Sequence, residues 1–144
     1  MLSSCVRNNS HSESDYKQLN KTVVKAKKDS IKEDFFSFLR DFSISPEFQK
    51  QRIKFPLKDY YLNSEHTIVF KNITVDKWRT VALLDTSHNT NTISVIYDNF
   101  ERKFRDSNER VYAIQGIETD IANFYYFKNM SGKWFLIKRE DFSY

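Results

Sequence analysis

The chain predicts an α+β domain in which N-terminal helices pack on an antiparallel sheet, and three observations carry that prediction. Apolar residues recur at helical spacing between positions 31 and 42, they alternate with period two from position 53, and the last third reads as aromatic strands joined by short turns. With 144 residues, 16% aromatics and only 2 Gly and 2 Pro, the chain has the size of one domain and the material for a core without metal or disulfide support.

Taken in order, residues 1–29 contain no Phe or Trp, are rich in Ser, Asn and Lys, and read as a flexible tether. Leu19, Val23 and Ala26 form too thin a stripe to bury a helix there. Residues 30–144 read as the single α+β domain. Ser30 and Glu33 have capping-box spacing, and Ile31, Phe35, Phe38, Leu39 and Phe42 share one helical face behind them. Ser45 and Pro46 begin a second, short helix, since proline lacks only an N–H that the first helical position leaves unpaired anyway. Ile53, Phe55 and Leu57 then alternate with Lys54 and Pro56, and the proline predicts an edge strand or a strand beginning.

Thr67 to Lys71 is β-branched and aromatic, Val75 to Thr80 around Trp78 reads as a helical turn, and Ile93 to Phe104 alternates as one long strand. Asp106, Ser107 and Asn108 make a turn before the strand Val111 to Ile117. Ile121 to Lys128 follows, and Asn129-Met130-Ser131-Gly132 closes a hairpin onto Lys133 to Arg139, with Gly132 supplying a positive φ. There is no internal repeat. In the strand entry, Arg52 stands beside Ile53 and Phe55, so its guanidinium is expected to pair with a carboxylate or backbone carbonyls.

A net charge of +4 and a pI near 9.1 raise the question of a nucleic-acid partner. Six basic residues against three acidic ones in the tether leave residues 30–144 with 17 against 16, and such balance supplies no basic face for phosphates. No nucleic acid is expected. No stretch approaches the length of apolar residues that spans a bilayer.

Signatures of catalysis are missing. The chain has no Gly-rich phosphate loop and no nucleophile elbow, and its one Cys lies in the tether, so no metal site, cofactor or catalytic residue is assigned. His11 is in the tether as well. Asp85, Ser87 and His88 are loop neighbours in sequence, an arrangement that does not converge on one point as a triad must. Tyr60, Tyr61, Trp78, Tyr97, Tyr126 and Trp134 are the candidates for lining a pocket, each having a large apolar body and a polar tip.

Leu2-Ser3-Ser4-Cys5 resembles a bacterial lipobox. The resemblance implies cleavage before Cys5 and lipidation of its sulfur, with residues 6–29 holding the domain off a membrane of the cell envelope. Neither a basic nor an apolar leader segment precedes it, so the resemblance implies a start upstream of Met1. The alternative is a cytoplasmic chain with an incidental Cys.

Phe35-Phe36-x-Phe38-Leu39-x-x-Phe42, followed by Phe48-Gln49-x-x-Arg52-Ile53-x-Phe55-Pro56-Leu57, resembles the opening of a bacterial envelope family, the domain of unknown function numbered 4348. Tyr125-Tyr126-Phe127 and Trp134-Phe135-Leu136 fit the same pattern. That family is similar to the nuclear transport factor 2-like superfamily, which implies a cone of helices and a curved antiparallel sheet around a pocket. The expectation is therefore a lipid-anchored binding or protein-interaction module. The alternative is an isomerase- or dehydratase-type enzyme using the cone, and the fold alone does not decide between them.

Overall fold

The first helix among the described residues, α1 (Phe35–Ile44), starts where Asp34 accepts a hydrogen bond from the Ser37 N–H at 2.8 Å. The computed structural model of the protein describes residues 32–84 and 91–144; Ser30, Ile31, the tether with Cys5, and Asp85, Ser87 and His88 lie outside them. The expected helix start at Ser30 is corrected: the helix begins at Phe35, and the Glu33 carboxylate is taken instead by Arg52 and by the Trp134 N–H. As the spacing predicts, Phe35, Phe38, Leu39 and Phe42 are all buried on one face. The second helix, α2 (Pro46–Gln51), has Ser45 as its N-cap, with the Ser45 hydroxyl accepting from the Phe48 N–H at 3.2 Å.

Six strands follow: β1 (Ile53–Leu62), β2 (Ile68–Ile73), β3 (Thr92–Tyr97), β4 (Glu109–Gly116), β5 (Ala122–Met130) and β6 (Lys133–Asp141). They form one curved sheet in the order β2-β1-β6-β5-β4-β3. Every neighbouring pair is antiparallel except β1 and β6, which run parallel. This pairing puts β1 inside the sheet and corrects the expectation of an edge strand, while Pro56 itself lies in the opening stretch of β1, as the other expectation, a strand beginning, has it. Register slips between Ile53 and Lys58, so that the stretch containing Pro56 faces the single β6 residue Ile137. Pairing with β2 starts only at Leu57. A proline without an N–H is tolerated in an interior strand because neither ladder uses position 56. The bulge at Ile137 also bends β6, which is one source of the sheet's curvature.

The β5–β6 hairpin turns through Ser131 and Gly132, both at positive φ (52° and 84°), the two-residue geometry whose twist matches antiparallel strands. Val75 to Lys77 makes a single turn before Trp78, closed by the Lys77 N–H donating to the Thr74 carbonyl. The long strand expected from Ile93 to Phe104 is shorter, ending at Tyr97. Asn99 is the cause: its amide donates to the carbonyls of Lys103 and Arg105 and its oxygen accepts from the Lys103 N–H, folding 98–105 into a loop. Asn side chains compete with a strand's ladder in this way.

Helix and sheet share one core. Phe35, Phe38 and Phe42 contact Phe127 of β5 edge-on, with ring centroids 5.6, 5.5 and 5.5 Å apart, and Leu57, Trp134 and Leu136 close around them. On the opposite sheet face a smaller cluster forms from Val111, Ala113, Phe124 and Tyr126, against which Phe100 of the 98–105 loop packs. Residues Glu33–Tyr144 form one compact unit.

A clamp ties the N-terminal helix to the last hairpin. Both Arg52 Nη atoms donate to Glu33 at 2.8 Å, Nη1 also donates to the Trp134 carbonyl at 3.0 Å, and the Trp134 indole donates to the Glu33 carbonyl at 2.9 Å. The pairing expected of Arg52 is thus present, between the rings of Phe48 and Phe135. Burial would raise the Glu33 pKa, but the Arg52 bonds and the Trp134 N–H outweigh it and hold the carboxyl below its ordinary value. A carboxylate whose folded pKa is lowered stabilises the fold above its unfolded pKa, and that stabilisation is lost as pH falls through the folded value. Between about pH 6 and about pH 3, the stability of Glu33→Gln is therefore expected to fall less steeply than that of the parent chain in urea titrations. Parallel pH profiles would reject this role for Glu33.

Candidate functional site

Alternation along β1 places Leu57, Asp59 and Tyr61 on the helix-bearing face of the sheet. Register then brings partners to Asp59 from both sides: Lys71 of β2 lies opposite it, and so does Arg139 of β6. Arg139 is in turn opposite Tyr125 of β5. A row Lys71, Asp59, Arg139, Tyr125 therefore crosses four strands on one face, assembled from two strand pairs far apart in the chain, β1–β2 and β5–β6.

Asp59 is 1% exposed, and a buried carboxylate is tolerable only when paired. Its two oxygens accept from Arg139 Nε and Nη2, each at 2.7 Å, the bidentate geometry that suits a guanidinium. Lys71 Nζ approaches at 3.6 Å and also lies 4.8 Å from the Tyr61 ring centre. Burial opposes the Arg139 charge, but the bonds with Asp59 outweigh it and raise the pKa, so Arg139 is a permanent cation. Burial raises the Tyr125 pKa against the opposing pull of Arg139, which keeps its hydroxyl neutral.

Above this floor lies an open hollow of about 560 Å³, lined by Lys71, Ile73, Lys77, Trp78, Arg79 and Arg139. A smaller hollow of about 260 Å³ adjoins it through the shared Lys71 and Arg139 and reaches Tyr61 and Asp141. The wall is fixed by Gln49, fully buried, whose side chain meets all its hydrogen-bonding needs. Its amide donates to the carbonyls of Phe42 and Val81, and its oxygen accepts from the Trp78 indole and the Val81 N–H, both at 3.1 Å. Trp78 is thus held rigidly against Phe55, with ring centroids 6.4 Å apart.

Of the aromatic residues the sequence offers as pocket candidates, Tyr61 and Trp78 line these hollows. Tyr60, Tyr97 and Tyr126 stand on the opposite sheet face, Tyr60 against Phe70, and Tyr126 among Phe100, Lys138 and Glu140. There the Tyr126 hydroxyl donates to Glu140 at 2.6 Å, and burial together with that bond pushes its pKa up to about 12. Trp134 is fully buried in the core clamp. Sequence reasoning missed Asp59, Lys71, Arg139 and Tyr125.

Both Asp59 oxygens accept hydrogen bonds from the Arg139 guanidinium, which stabilises the carboxylate and makes it a weaker general base. Among the described residues no group of His, Cys, Asp and Glu is placed to hold a metal ion, and no helix is long and apolar enough to cross a membrane.

Comparison with known proteins reveals relatives in structure. A family model matches residues 33–143. An NTF2-like protein from Bacteroides fragilis is similar in structure, with a TM-score of 0.58 and 23% identity over 78% of this chain. This chain spans 48% of that protein's length. A protein from Bacteroides uniformis is also similar, with a TM-score of 0.53 and 22% identity, over 75% of this chain and 76% of its own. Among curated proteins none matches.

Proposed function

Residues 33–143 belong to a protein family with the nuclear transport factor 2-like fold, and from that premise we propose that the chain is a lipid-anchored binding module of the bacterial cell envelope. Its ligand sits in the groove between Trp78 and the Asp59–Arg139 pair. The observation that carries this reading is the groove floor: a buried, bidentate ion pair beneath an open hollow, braced by a fully satisfied Gln49. Pockets with a few fixed polar groups and a rigid wall are where ligands bind. NMR titration with a small-molecule library is expected to shift the Trp78 indole signal for some compounds, and silence across the library would count against the groove.

A small-molecule isomerase or dehydratase is the second reading, favoured by Asp59, a buried carboxylate that lines the smaller hollow. It would require Arg139 to release Asp59, and for that reason binding is preferred.

Anchoring rests on Leu2-Ser3-Ser4-Cys5. One acyl chain holds a protein only marginally, whereas the diacylglycerol group implied by a lipobox supplies the two chains that stable attachment takes. Expressed from its native locus, the protein is expected in the membrane fraction even at high salt, and Cys5→Ser is expected to release it. Soluble native protein whose Cys5 is a free thiol by intact mass would overturn the envelope assignment.

A further inference from the structure

We propose that the groove selects a small soluble anion carrying a carboxylate or phosphate group. This rests on the groove being a ligand site and specifies what it takes. The larger hollow is lined by four cations, Lys71, Lys77, Arg79 and Arg139, and by no carboxylate. Including the smaller one, those four cations face two carboxylates, Asp59 and Asp141. Asp59 holds Arg139 with both oxygens and has Lys71 at 3.6 Å, but it has neither Lys77 nor Arg79 within 4 Å.

Arg52, Arg110, Lys103 and Lys138 each have a carboxylate within 4 Å. Among the described residues Lys77 and Arg79, like several other surface cations, have no carboxylate within 4 Å, although the Lys77 charge reaches the neighbouring Asp76. Like charges gathered around one hollow repel, and an anion placed between them relieves that repulsion while satisfying their N–H groups. The two bonds to Asp59 leave Arg139 further donor capacity, since a guanidinium carries five N–H groups. Its planar fork and that of Arg79 suit the paired oxygens of carboxylate and phosphate. Ile73 and Trp78 add an apolar wall for a short carbon skeleton. Only a compact ligand fits a hollow of about 560 Å³.

Titration of the full chain with inorganic phosphate and with citrate tests this, with Lys77→Gln/Arg79→Gln as the variant because both residues are exposed and outside the core. Binding of at least one anion is expected, weakening as salt rises. The variant is expected to raise Kd by about tenfold or more, as loss of charge-assisted hydrogen bonds does, while its unliganded unfolding midpoint stays unchanged. Equal binding by the variant, or binding only to vesicles of anionic phospholipid, would overturn the proposal. If neither anion binds while neutral library compounds shift Trp78, the anion assignment falls and the groove stands as a ligand site. If nothing shifts Trp78, both fall.

Discussion

Phe42→Ala is expected to lower the free energy of unfolding by about 3–5 kcal/mol, the range for emptying a buried aromatic site. Phe42 is 0% exposed, contacts Phe127 edge-on and Phe38 at 5.5 Å, and its carbonyl accepts from Gln49. Phe127 is pinned in β5 and Gln49 by four hydrogen bonds, so the space cannot readily collapse. Phe36, on the same helix but 68% exposed, supplies the control: Phe36→Ala should shift stability by no more than about 0.5 kcal/mol. Urea denaturation of both variants measures the contrast, and equal midpoints would refute the packing of α1 on the sheet.

Arg139→Met is expected to be comparably damaging, costing about 3–5 kcal/mol, because it leaves Asp59 charged, 1% exposed and with only Lys71 nearby. Asp59→Asn should cost less, since the abandoned Arg139 side chain is 21% exposed and water can reach it. The double variant Asp59→Leu/Arg139→Met removes both charges and should recover most of the loss, as apolar replacement of buried pairs often does. An Arg139→Met protein as stable as its parent would mean that the pair is not desolvated.

Much of the helical layer was legible because its signals are local. The Phe35 to Phe42 stripe, the Ser45-Pro46 start and the Ser131-Gly132 turn each depend on residues a few positions apart. The groove is different. Asp59 stands at a core-phase position after Ile53, Phe55 and Leu57, and a charge falling in phase with a buried face was the available signal for a buried pair. Arg139 carried no such signal, because the bulge at Ile137 shifts the phase set by Trp134 and Leu136. Adjacent aromatics defeat composition in the same way. Tyr60 and Tyr61 must point to opposite faces, and only strand register says which one faces the groove.

The parallel pairing of β1 with β6 has a consequence for how the protein is made. Asp59 and Arg139 are separated by 80 residues, and Leu57, in the core beside α1, is enclosed only when Leu136 arrives. During vectorial synthesis the ribosome must release β6 before the centre of the sheet can close, and until then β1 exposes an unpaired edge. Contacts of such long range form late, because loop closure must precede any gain from them. Until β6 has been made, the centre of the sheet is accordingly expected to stay open, a state in which chaperones can hold the nascent chain.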